Sequence, residues 1–93
     1  MKPEAFLINS ARGDLVNEQD LIEALDSAEI AGAALDVFEA EPEVPSSLVD
    51  RSDVLLLPHL GSATVETRNA MGFRVMDNAV AFFSGKKPPD RVA

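Results

Sequence analysis

The chain has 93 residues, 46% of them hydrophobic, which sets it at no more than one small domain with one modest core. Its 16 acidic residues outnumber 8 basic ones for a formal charge of −8, and no basic run exceeds Lys86-Lys87, so nucleic acid and anionic membranes are poor partner candidates. With no cysteine and 1 histidine, a disulfide framework is excluded and a metal site is not expected.

Residues 1–9 run towards Arg12 without a long apolar core, which is not the pattern of a secretory signal. No apolar stretch is long enough to cross a bilayer, so a cytoplasmic soluble domain is the expectation. Ala5-Phe6-Leu7-Ile8-Asn9 reads as a buried strand, broken by Gly13-Asp14. Asn17 is placed to cap a helix with Asp20 at its N3 position. Leu21, Ile22, Ala24, Leu25 and Ala28 then recur at helical spacing. Residues 32–37 form a second predicted strand, so that strand, helix and strand imply a parallel crossover.

Residues 38–53, with Pro42 and Pro45, show no sustained periodicity and at most one helical turn around residues 46–49. Connections of this length are uncommon in compact domains and often functional. Residues 54–57 predict a third strand, stopped by Pro58. Ser62 or Thr64 then caps a long helix whose Met71, Val75, Phe82 and Phe83 stripe is expected to be core. Gly85, Lys86, Lys87 and Pro88-Pro89 supply stop signals. The order is β-α-β-loop-β-α, an α/β chain with a three-stranded parallel sheet. Such a sheet leaves an edge and a face without cover, which points to a larger unit or to pairing with another chain.

Arg12, Glu41 and His59 each follow the end of an apolar run. In an open parallel sheet, ligands bind outside the carboxyl ends of the strands. A cation for an anionic substrate, a base titrating near neutrality and a carboxylate to tune it are the parts of a proton-coupled reaction. Spacing alone does not choose Glu41 over Glu39 or Glu43. Nor do the residues alone separate a catalytic His59 from a loop histidine. The five glycines, at 13, 32, 61, 72 and 85, form no Gly-x-Gly-x-x-Gly, so a pyrophosphate cradle is not among these residues.

Asn9-Ser10-Ala11-Arg12-Gly13, Ala34-Leu35-Asp36-Val37-Phe38-Glu39-Ala40-Glu41-Pro42 and Pro58-His59-Leu60-Gly61-Ser62-Ala63-Thr64, in this order, resemble the D-isomer-specific 2-hydroxyacid dehydrogenases. The resemblance covers essentially the whole chain, and is nearest to the hydroxypyruvate and glyoxylate reductase branch. It implies a partial Rossmann-like parallel sheet, residues 1–93 being the C-terminal portion of an NAD(P)-binding domain. The Gly-rich first half and the substrate domain lie outside it. Met1-Lys2-Pro3 then matches a position inside the family's chain.

The resemblance implies catalytic roles for three residues: Arg12 grips the substrate carboxylate, His59 is the acid/base, and Glu41 holds one ring nitrogen of His59. It assigns the nicotinamide end of NAD or NADP to Ser10, Ala11, Arg12, Asp36, His59, Gly61 and Ser62. The substrate would be a small 2-keto or 2-hydroxy acid, and the assembly a homo-oligomer (dimer). These 93 residues alone are expected to be inactive. The competing reading is a non-catalytic module that binds a protein partner through its unpaired edge and acidic surface.

Overall fold

The computed structural model describes residues 1–92. The chain runs β1 (Phe6–Asn9), a 3-10 turn (Gly13–Leu15), α1 (Glu18–Asp26), β2 (Gly32–Leu35), β3 (Val54–Leu56) and α2 (Val65–Phe83). It divides into two compact units, Met1–Gly61 and the residues from Ser62 onward.

In the first unit the strands form one parallel sheet in the order β1-β2-β3. Register pairs Leu7 with Ala33 and Ala33 with Val54. Side chains alternate between faces along a strand, so Leu7, Ala33, Leu35, Val54 and Leu56 share one face. That face packs with Leu21, Ile22 and Leu25 of α1 in the core. The helix begins where its cap chemistry dictates, since the Asn17 side chain accepts from the Gln19 and Asp20 N–H groups. Phe6, Ile8 and Leu55 lie on the opposite face and are exposed, so β1, expected to be a buried strand, is covered on one face only. Both β1 and β3 are edge strands among the described residues.

Three local expectations need correction. β2 ends at Leu35 rather than at residue 37, and β3 at Leu56 rather than at residue 57. Asp36 has left the ladder with β3 but still donates its N–H to the Asn9 carbonyl at 2.9 Å. Residues 38–53 contain turns and no regular element, as expected, and Leu48 among them is fully buried and joins the core. Ala28 does not extend α1, because it takes a left-handed φ of 56° just beyond the Ser27 cap.

The Ala28 N–H donates to Leu25 and the Glu29 N–H to Ala24, at 3.2 and 2.8 Å, a Schellman closure with alanine where glycine is favoured. A Cβ in this conformation costs roughly 1–2 kcal/mol, against roughly 0.5–1 kcal/mol of glycine chain entropy. Ala28→Gly is therefore expected to raise stability by about 0.5–1 kcal/mol, read from urea unfolding with an unchanged m-value.

In the second unit Thr64, not Ser62, caps α2, accepting from the Thr67 N–H. The helix ends at a Ser84 cap followed by Gly85 with φ +68°, as its stop signals predict. The chain then turns back, so that Arg74 and Asn78 both hold the Asp90 carboxylate, at 2.6 Å each. The expectation that Met71, Val75, Phe82 and Phe83 are core is overturned: no residue of α2 is buried, and Phe83 is 86% exposed. Their apolar stripe has no cover among the described residues.

Candidate active site

Arg12, Glu41 and His59 all belong to the first unit and follow the strands or their immediate extensions. At the end of β1, Arg12 is extended, with φ −149° and ψ 144°, immediately before the 3-10 turn. Its guanidinium is exposed and donates to the Ala11 carbonyl at 2.6 Å. Gly13 permits the next turn of chain to meet residues 38 and 39. A Cβ added there would overlap the main-chain carbonyl of Phe38.

Beyond β2, the choice among the alternating glutamates is made by tertiary contacts. Glu39 turns to the start of α1, where its side chain accepts from the Glu18 N–H at 2.9 Å and the Glu18 side chain accepts from the Glu39 N–H at 2.8 Å. Glu41 turns the other way. One of its oxygens accepts from the Phe38 N–H at 3.1 Å and the other lies 2.8 Å from His59 Nδ1. The hydrogen bond to His59, and then that from Phe38, hold the Glu41 carboxyl below the usual glutamate range, so it stays ionised in mildly acidic solution.

His59 has a left-handed φ of 56°, which an imidazole-bearing residue tolerates better than a branched one. The turn is held from below by Asp36, only 6% exposed, whose two carboxylate oxygens accept from the Leu60 and Gly61 N–H groups at 2.7 and 2.8 Å. A cleft of about 330 Å³ opens beside the pair, with Phe38, Pro42, Val44, Leu56, Leu57 and Pro58 lining it together with Glu41 and His59.

Among the described residues only Asn9 and Asp36 are both polar and buried, and sequence reasoning passed over Asn9. The Asn9 side chain donates to the Arg12 carbonyl at 2.8 Å and accepts from the Ala11 N–H at 3.1 Å. Its main-chain carbonyl receives the Asp36 N–H. One continuous set of bonds therefore links the Arg12 turn, the end of β2 and the His59 turn. Ser10 and Ala11 are exposed at the tip of β1. Ser62, the remaining expected cofactor residue, opens the second unit. No described helix is long and apolar enough to cross a membrane.

Residues 1–61 match the family model for the NAD-binding domain of D-isomer specific 2-hydroxyacid dehydrogenases. The chain belongs to this family. Glyoxylate/hydroxypyruvate reductase A of Arabidopsis thaliana is 59% identical over 83 residues, covering 89% of the chain and 26% of the relative. The crystal structure of the NADPH-dependent glyoxylate/hydroxypyruvate reductase of Sinorhizobium meliloti in complex with citrate superposes with a TM-score of 0.91 at 50% identity, over 98% of this chain and 29% of that one. The structure of the same reductase with NADP and malonate gives a TM-score of 0.85 at 54% identity, over 88% and 26%. The chain thus spans about a quarter of the length of such relatives.

Proposed function

We propose that the chain is the C-terminal portion of the NAD(P)-binding domain of a reductase that interconverts a small 2-keto acid, of the glyoxylate or hydroxypyruvate kind, and the corresponding D-2-hydroxy acid. The observation that carries this is the His59–Glu41 pair. With Nδ1 engaged by Glu41 at 2.8 Å, Nε2 is the ring nitrogen left for a reacting oxygen.

In reduction, His59 gives its Nε2 proton to the substrate oxygen as the carbonyl becomes a hydroxyl; in oxidation it takes that proton back. Glu41 fixes the ring orientation and tautomer and faces the positive charge when the ring is protonated. Arg12 presents a planar fork to the substrate carboxylate, for which it exchanges its bond to the Ala11 carbonyl. NAD or NADP, with its nicotinamide end held by Ser10, Ala11, Arg12, Asp36, His59, Gly61 and Ser62, would supply the hydride in reduction and accept it in oxidation.

The residues suit that end of the cofactor. Ser10 is exposed with a hydroxyl to offer, the Ala11 carbonyl is released once Arg12 turns to the substrate, and each Asp36 oxygen, having accepted one N–H, keeps capacity for another donor. Gly61 lies against the same carboxylate. The open edges of β1 and β3 and the exposed face of Phe6, Ile8 and Leu55 fit cover by further chain of the enzyme or by a second copy in a homo-oligomer.

The test compares two glutamates in an intact enzyme carrying this segment. Glu41→Gln places an amide donor towards Nδ1 and is expected to lower kcat by roughly 10²-fold or more. Glu39→Gln, whose partner is the α1 N-terminus, should leave kcat within a few-fold of the parent. The acid limb follows from the lowered Glu41 pKa. A depressed carboxylate keeps its contribution above its unfolded value and loses it only as pH falls through the folded one, so the His59–Glu41 pairing should persist below the usual glutamate range. Equal effects of the two substitutions on kcat would remove Glu41 from the mechanism.

A further inference from the structure

Arg12 is exposed, and among the described residues its guanidinium bonds only to its own turn, at the Ala11 carbonyl. Long side chains of this kind sample many rotamers, and a carboxylate fork is selective only if its base is fixed. What fixes it is visible one step inside. Asn9 is 7% exposed at the last position of β1, and both polar atoms of its amide are spent on the Arg12 turn. Oδ1 takes the Ala11 N–H, just before Arg12, and Nδ2 gives to the Arg12 carbonyl, just after it. These two bonds bracket the Arg12 Cα and set the dihedrals from which its side chain departs. The Asn9 main-chain carbonyl, through the Asp36 N–H, sets the same turn relative to the carboxylate that holds Leu60 and Gly61.

We propose that Asn9 is a positioning residue for substrate recognition: its buried amide holds the Arg12 backbone so that the guanidinium meets the substrate carboxylate at a fixed distance from His59. This rests on the reading of Arg12 as the carboxylate-binding group. Asparagine suits the position because it donates and accepts at once. Aspartate keeps the acceptor for the Ala11 N–H but turns a second oxygen on the Arg12 carbonyl, and alanine leaves both main-chain groups without their partner.

The experiment uses an intact enzyme of the family carrying this segment, with Asn9→Ala, Asn9→Asp and Arg12→Lys prepared in parallel. Oxalate, a planar dicarboxylate without a reducible ketone, serves as the binding probe. Both Asn9 variants are expected to raise KM for glyoxylate, and the inhibition constant of oxalate in step, by roughly ten- to a hundredfold. The pH profile of kcat should stay at the parent, and the dissociation constant for NADPH should change far less than KM, which a general loss of folding would not allow. Because Asn9 acts through Arg12, adding Asn9→Ala to Arg12→Lys should raise KM by much less than the product of the separate effects. A folded Asn9→Asp or Asn9→Ala enzyme with unchanged KM and oxalate inhibition, beside an Arg12→Lys enzyme with raised KM, overturns the proposal and leaves the role of Arg12 intact. An unchanged KM in Arg12→Lys overturns the role of Arg12, and the proposal with it. If Asn9→Ala does not fold, Asn9→Asp decides alone by the same measures.

Discussion

Replacing His59 by asparagine in an enzyme carrying this segment is expected to lower kcat by roughly 10²–10⁴-fold, the range lost with a positioned acid/base. Asparagine is the informative substitution because of the backbone. At φ 56° a residue other than glycine is strained, and asparagine enters this region more readily than most. The turn should therefore survive, with Asp36 still accepting the Leu60 and Gly61 N–H groups, while the titrating ring is lost. His59→Val would confound the two effects by adding a branched Cβ at positive φ. Binding of NADPH should change little in His59→Asn, and the dependence of kcat on the ionisation of the imidazole should vanish. A His59→Asn enzyme that keeps kcat within a few-fold of the parent would remove His59 from proton transfer and leave it as a turn residue.

The elements that local chemistry specifies were legible in the sequence. β1 and β3 follow from apolar runs with polar or proline stops, and α1 from Asn17 and the spacing of Leu21, Ile22 and Leu25. What needed three dimensions was the choice between equivalent residues. Glu39 and Glu41 differ by two positions, and only the path of residues 38–41 past α1 on one side and His59 on the other gives them different partners. The left-handed Ala28 was illegible because an alanine after Leu25 reads as one more helical residue. Asn9 read as the polar end of a strand, since nothing local shows that its amide reaches forward to Ala11 and Arg12. The α2 stripe failed as core for another reason: an apolar stripe states that cover is needed, not that these 93 residues contain it.

Gly13→Ala and Gly72→Ala are the same chemical change with opposite expected signs. At Gly13 the new methyl would overlap the main-chain carbonyl of Phe38 and crowd the Glu39 nitrogen at 2.6 Å. Backbone cannot swing aside as a flexible side chain can, so either the Gly13–Leu15 turn or the segment leading to Glu41 must move. Overpacking of this kind costs roughly 1–3 kcal/mol. The cost should fall on activity as well, because Arg12 is the residue before Gly13 and the Phe38 N–H is one of the two anchors of the Glu41 side chain. A separation of the two turns changes the distance between the carboxylate-binding group and the partner of His59, for which a displacement of about 1 Å can cost roughly 10²-fold in rate. At Gly72, within α2, an added Cβ meets none of the described residues within 4 Å. There the gain in helix propensity should stabilise by about 0.5–1 kcal/mol. Urea unfolding of the two variants of this chain reads both signs, and in the intact enzyme kcat/KM of Gly13→Ala should fall. A Gly13→Ala protein as stable and active as the parent would show that the approach of Phe38 to Gly13 is not needed to bring the Arg12 and Glu41 turns together.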